Sequence, residues 1–257
     1  DIEDSPVGSF TDGDVKEEMA LVVEETRGAK AFRKKFAIDL GFRSLDREIL
    51  GLREGDVCLI AAAQTCGKTA MMVNIAVDVV FRQKKNVVFV TTETVRTPLR
   101  RRVVSRLSKF PVFDVPVKSK GLKSGELSAE EYGTLEKMKD YLVNGAHGSF
   151  VLVQAPADAN LAWLRGKLLQ CENRHRVDLV ILDDLRNMKA MVRRRTEWEE
   201  YNELFKDFKA IARTHAGRGV PMISPYQMSR DAQKKALEPG DTKGKYSLTG
   251  LSSSSEA

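Results

Sequence analysis

Val57-Cys58-Leu59-Ile60-Ala61-Ala62-Ala63-Gln64-Thr65-Cys66-Gly67-Lys68-Thr69 is the stretch on which the fold turns. Residues 57–63 form a short, almost unbroken apolar run, as expected of a strand buried on both faces of a parallel sheet. Beyond Thr69, Met72, Ile75, Ala76, Val79 and Val80 recur at helical spacing. The loop between them ends in Gly-Lys-Thr. A phosphate chain needs exposed backbone N–H groups, a positive charge and a hydroxyl for Mg²⁺, and a strand–loop–helix of this composition supplies all three. The strict pattern opens on Gly, where this chain has Ala62. Gly-Lys-Thr alone also describes an ordinary turn with a solvated lysine; the flanking strand and helix favour a phosphate loop made of Ala63, Gln64, Thr65, Cys66, Gly67, Lys68 and Thr69.

Outward from this loop, strands and helices alternate. Further apolar runs span residues 87–92, 150–154, 178–182 and 220–224, and Leu204, Phe205, Phe208, Ile211 and Ala212 mark a second helical stripe. Thr97-Pro98 has the pattern of N-cap and first helical residue, leading into Arg100 to Leu107. Ser128 with Glu131 is a capping box opening a helix over 129–142. The alternation predicts a doubly wound α/β fold, a mostly parallel sheet with helices on both faces. Ahead of it, residues 1–13 form a solvated, acidic linker. Asp14 with Glu17 then opens a short helix carrying Val15, Met19, Val22 and Val23 on one face and ending near Gly28. The expected division is 1–33 as linker with this helix and 34–257 as the main domain. The closing Ser252 to Ser255 run is low-complexity.

Composition narrows the class. The chain has 257 residues, 42% hydrophobic and 30% charged, enough apolar material for one large domain. No apolar run approaches a membrane span, and the acidic start is unlike a signal peptide. Three cysteines without metal-ligand spacing point to a reducing, cytoplasmic setting. The net charge of +6 favours nucleic acid only weakly by itself; its clusters at Arg100 to Arg102, Arg193 to Arg195 and the lysines near 234–245 say more. A start at Asp rather than Met suggests a fragment or processed product. His147, His175 and His215 are widely spaced and support neither a metal site nor a triad. Trp163 and Trp198 are expected to pack helices rather than stack bases.

Three more residues join the phosphate loop. Asp183 ends the Val180-Ile181-Leu182 run, at the sheet edge where open α/β folds bind ligands, and there it can hold Mg²⁺ with Thr69. A strand-terminating aspartate is common, so this assignment leans on the loop upstream. Glu93, one strand later than the loop, can orient and deprotonate a water attacking a terminal phosphate. Gln227, just past the last run, can sense that phosphate and inform the segment after it.

In combination these motifs resemble DnaB-family replicative DNA helicases, from about Lys34 onward. Gly41-Phe42-Arg43-Ser44-Leu45-Asp46 and Gly51-Leu52-Arg53-Glu54-Gly55-Asp56 look like that family's approach to its first strand, and Ala at the head of the phosphate loop is a common family form. Leu122 to Leu127 and the capped helix after it resemble the segment between its second and third strands. The resemblance implies a RecA-like ATPase core, with ATP and Mg²⁺ as cofactors. Lys68 would neutralise the β- and γ-phosphates, Thr69 and Asp183 would hold the metal, Glu93 would be the catalytic carboxylate, and Gln227 the link to DNA-gripping loops. It implies single-stranded DNA as partner, a ring of copies (usually six), and a primase or loader acting through regions outside this chain. Arg230 and the Thr249-Gly250-Leu251 segment would face DNA; Arg193 to Arg195 would too, though a solvated charge run describes those equally well. The Asp14 helix would dock on a neighbouring subunit. The family's last strands and its inter-subunit basic residues would follow Ala257, so this stretch alone is expected to bind ATP and hydrolyse it slowly. Two features depart from the pattern: Asp184 stands where the family often has an aromatic residue, and Cys66 replaces an apolar one. A RecA-fold ATPase that does not unwind (a recombinase or a KaiC-like regulator) and a non-enzymatic nucleotide-binding scaffold are the competing readings.

Overall fold

The structure is a computed structural model that describes residues 19, 22–23, 26–28, 37–63, 65–191 and 196–228, with the backbone alone for residues 197 and 198. Among these, five strands form one sheet: β1 (Val57–Ala62), β2 (Val87–Thr91), β3 (Phe150–Gln154), β4 (Leu179–Asp183) and β5 (Met222–Gln227). Their spatial order is β1-β5-β4-β2-β3, and each ladder is parallel. After α1 (Arg43–Ile49), which precedes β1, parallel neighbours need long crossovers, which helices provide: α2 (Lys68–Phe81), α3 (Arg96–Leu107), α4 (Ser119–Ser124), α5 (Ala129–Asn144), α6 (Leu161–Glu172) and α7 (Glu197–Thr214).

Strand residues alternate between two cores. Val87, Phe89, Leu179, Ile181 and Ile223 pack on the α2 side, with Leu99, Leu107 and Met138 from α3 and α5. Val88, Val90, Val180, Leu182 and Met222 face the other way, onto Leu164 and Leu168 of α6 and Leu204, Phe208 and Ala212 of α7. This is why the strands read as unbroken apolar runs: both faces are covered. The α2 stripe is fully buried, with Met72, Ile75, Ala76, Val79 and Val80 each at 0% exposure. Truncating a ring such as Phe89, at the centre of the first core, would cost roughly 3–5 kcal/mol.

Three sequence expectations change. The helix after Glu93 starts at Arg96, with Val95 as its N-cap and no side-chain cap, so Thr97 caps nothing. Pro98 is tolerated there because first-turn N–H groups have no intrahelical partner to lose. The last strand runs over 222–227 rather than 220–224, and Gln227 ends it instead of following it. Its pairing with β4 stops after Ile223, where Pro225 has no N–H to give. The Ser224 hydroxyl takes over, donating to the Leu182 carbonyl at 2.8 Å and accepting the Leu185 N–H at 3.1 Å. Lastly, β2 follows β1 in sequence but not in space, because β5 and β4 lie between them.

The capping box at Ser128 and Glu131 forms as read, and α5 continues to Asn144. Asp46 in α1 accepts the Leu40 N–H at 2.6 Å, and Ile38 pairs with Leu52, tying the approach to β1 together. Of the expected linker helix, Met19, Val22 and Val23 are helical and exposed; its start at Asp14 and Glu17 lies outside the described residues.

Candidate functional site

Because the ladders are all parallel, every strand delivers its C-terminal end to one edge of the sheet, and the chemistry-bearing residues gather there. The loop after β1 turns at Thr65 (φ 64°) and Gly67 (φ 82°) before α2 begins at Lys68. Gly67 suits its left-handed backbone, whereas a β-branched Thr65 at positive φ is strained by about 1–3 kcal/mol. Gly67 offers no side-chain cap, so the first N–H groups of α2 keep no partner from the N-cap and point, with the helix dipole, at whatever anion enters. Thr65, Cys66 and Gly67 are exposed; Lys68 and Thr69 are half-buried. Gln64 lies outside the described residues.

Asp183 ends β4 and is 2% exposed. Burial pushes its carboxyl pKa up, the Thr69 hydroxyl hydrogen-bonds it and pulls the other way, Glu93 adds to the rise, and Lys68 and Arg102 oppose it. Thr69, Glu93, Lys68 and Arg102 therefore all stand within electrostatic reach of Asp183. One Asp183 oxygen, Oδ2, is buried with no hydrogen-bond partner. A buried carboxylate oxygen left bare is costly, and a divalent cation or its bound water is the partner that this donor set fits.

Glu93 is exposed, two residues beyond β2, in a tight turn closed by Thr91, whose hydroxyl donates to the Thr94 carbonyl and accepts the Thr94 N–H. The adjacent Thr92 ties this turn to the end of β4. Its N–H donates to the Asp183 carbonyl at 2.8 Å, its hydroxyl contacts the Asp184 carbonyl at 3.0 Å, and that hydroxyl accepts the Asp184 N–H at 2.9 Å. Gln227, half-buried at the end of β5, lines a 580 Å³ cavity together with Glu93, Asp184, Arg186 and Tyr201. Within it the Tyr201 hydroxyl is buried without a partner, and burial raises its pKa.

The structure thus brings Lys68, Thr69 and Glu93 within reach of Asp183, and Gln227 lines the same cavity as Glu93. Arg193, Arg194, Arg195, Arg230, Thr249, Gly250 and Leu251 lie outside the described residues. Four contributors escaped the sequence reading. Asp184, an unexplained departure there, caps the short turn at Leu185–Asn187 by accepting the Arg186 N–H at 2.9 Å; burial raises its pKa. Thr92 gives no motif, because its partners are 91 and 92 positions away. Tyr201 belongs to a helix stripe. Arg102 was visible only as one of three consecutive arginines; its spacing from buried Leu99, one helical turn earlier, was the available signal.

Two of the three histidines have structural partners. His215 is buried against Glu172 (Nε2 to Oε2, 3.1 Å), and His147 contacts the carbonyls of Gly148 and Leu142. Trp163 packs on the second core. No described helix is long and apolar enough to cross a membrane.

Comparison with known proteins follows the same line. The sequence profile of the family described as "DnaB-like helicase C terminal domain" matches residues 37–241. The replicative DNA helicase DnaB of Geobacillus stearothermophilus is 24% identical over 199 residues, 77% of this chain and 41% of that protein. A probable plasmid replicative DNA helicase of Chlamydia muridarum is 23% identical over 196 residues, 76% of this chain and 40% of that one. This chain therefore spans about two fifths of these relatives. Among solved structures, a DnaB-like replicative helicase studied with primase superposes with TM-score 0.75 at 19% identity, covering 94% of this chain and 53% of that one. A second solved structure, described as an ATPase domain, gives 0.73 at 20% identity, covering 94% and 78%. The fold is accordingly the RecA-like ATPase core of such helicases.

Proposed function

Because this chain belongs to the DnaB-like helicase C-terminal domain family, we propose that it is the ATP-driven motor of a replicative DNA helicase, coupling Mg-ATP hydrolysis to movement along single-stranded DNA and duplex separation. The observation that carries this reading is the buried Asp183 carboxyl at the end of β4, one oxygen of it without a partner, within electrostatic reach of Thr69, Glu93 and Lys68. The bare N–H groups at the start of α2 cradle the phosphates, and Lys68 neutralises their outer oxygens. Thr69 and Asp183 would hold Mg²⁺; when bound, it offsets the negative charge on the β- and γ-phosphate oxygens. Glu93 orients the attacking water and accepts its proton, fixed in place by the Thr91–Thr94 turn. Arg102 adds a cation on the same side.

Gln227 shares a cavity wall with Glu93 and precedes the segment with Arg230 and the 249–251 residues, which the proposal assigns to DNA along with Arg193 to Arg195. The working form is a ring of copies, six by family resemblance, loaded or joined by a primase or loader through parts beyond this chain. Residues 1–33 are proposed as the linker and 34–257 as the motor.

The test uses the full-length protein, with ATP turnover measured with and without single-stranded DNA and strand displacement measured on a forked duplex. DNA-stimulated turnover with displacement is expected; turnover without displacement removes the helicase claim. Glu93→Gln should lower turnover by about 10²–10⁴-fold while leaving nucleotide affinity within a few-fold. Unaltered turnover in that variant would remove Glu93 from catalysis, and no turnover in the parent would return the site to a nucleotide-binding scaffold.

A further inference from the structure

The far edge of the sheet carries a second site, remote from the phosphate loop. β3 is the edge strand opposite β1 and pairs with β2 alone. That ladder takes the Val87 N–H on the Ser149 carbonyl and gives the Ala155 N–H to the Thr91 carbonyl. By the alternation of a parallel pair, the N–H and C=O groups of Phe150, Leu152 and Gln154 point away from β2. Among the described residues none of these backbone groups has a backbone partner.

Between this open edge and α6 runs a groove of 830 Å³. Arg96, Lys167, Arg174 and His175 line it, and no described Asp or Glu does. Lys167 and Arg174 both draw down the Cys171 thiol pKa, which burial raises, so the two cations stand close to the groove floor. Trp163 forms an apolar wall, and at Gly166 an added Cβ would meet nothing within 4 Å.

We infer that this groove accepts an extended acidic segment of a partner protein as an added strand beside β3. The unpaired edge offers donors and acceptors in alternation, and a peptide backbone complements both. A nucleic-acid backbone offers phosphate acceptors only and would leave the outward carbonyls unmatched. The cationic lining selects acidic side chains and opposes basic ones. Lys167 lies in α6 and Arg174 just past its end, so at helical rise they stand roughly 10 Å apart. In an extended segment, same-face side chains fall roughly 7 Å apart at i+2 and 13 Å at i+4, so two carboxylates on one face bracket that spacing.

The test is fluorescence anisotropy of this chain with a labelled short peptide alternating valine and glutamate, its valine–lysine counterpart, and labelled oligo(dT). The glutamate peptide is expected to bind, and to bind at least about tenfold more weakly to Gly166→Leu and to the Lys167→Glu/Arg174→Glu double variant. Gly166→Leu fills the groove from a helix position where Gly is unfavourable, so its melting temperature should hold or rise. Amide exchange at Phe150, Leu152 and Gln154 should slow when the peptide is bound. Equal binding of the lysine peptide, tighter binding of oligo(dT), unchanged affinity in the variants, or unchanged exchange would each overturn the inference. None of these outcomes depends on ATP turnover, so the helicase proposal stands or falls separately.

Discussion

Replacing Thr92 by Val keeps the side-chain shape and removes the hydroxyl that joins Glu93's turn to the Asp183–Asp184 segment. The expected result in the full-length protein is a fall in kcat of roughly five- to thirtyfold, about 1–2 kcal/mol of positioning, with KM little changed; an equal loss in KM would assign Thr92 to binding instead. Asp183→Asn tests the buried carboxyl. Its folded pKa is raised above 3.8, so the folded state favours the protonated form and loses stability as pH climbs from the ordinary carboxylate range through the raised value. At neutral pH, without nucleotide, Asp183→Asn should therefore melt a few degrees higher than the parent, yet gain less from added Mg-ATP. Lys68, Thr69 and Asp183 could be named from the sequence as candidates because phosphate and metal chemistry demands those types at those places, and the fold sets Lys68 and Thr69 within reach of Asp183. Thr92 was not legible, because the fold alone brings its partners near, and Asp184 was missed although its side chain caps a turn only two residues on.

At the scale of elements, side chains repair what the backbone cannot supply. Ser224, fully buried, serves the Leu182 carbonyl and the Leu185 N–H where Pro225 interrupts the ladder. Ser224→Ala leaves both groups buried and unmet, and should cost roughly 1–3 kcal/mol, read as a melting point lower by about 2–12 °C. Ser128→Ala removes a solvent-facing cap and should cost only about 1 kcal/mol, with nucleotide binding unchanged. Periodicity exposed the strands and the α2 and α7 stripes because burial on both faces leaves few polar interruptions. It misjudged the extent of β5, since Pro225 marks an end by rule and here only ends the pairing on one side. Thr97-Pro98 misled for a related reason: Pro is tolerated anywhere in a first turn, so it fixes a helix start only to within a few residues.

Across the whole molecule, a charged network closes the edge opposite the phosphate loop. Glu172 of α6 receives the Val177 N–H, His215 and Arg218, and Arg176 joins Glu54 to Asp178. Burial raises the Glu172 pKa, but these partners outweigh it and the net shift is downward. Its stabilisation is therefore present above the usual carboxylate range and is lost as pH falls through the depressed pKa. Glu172→Gln should lower the melting point at neutral pH, with the gap to the parent closing in acid; a gap that persists there would mean packing, not charge, is lost. The strand order holds a mechanical consequence. β5 is joined to β1 along six facing positions, Val57 to Ala62, and to β4 along only two. Beyond Ile223 the β4 side of β5 is held by the Ser224 hydroxyl in place of a ladder. Gln227 is therefore fastened to the strand that enters the phosphate loop more than to the strand that ends at Asp183, and a pull on the polypeptide after Met228 is expected to alter the spacing between those two ends.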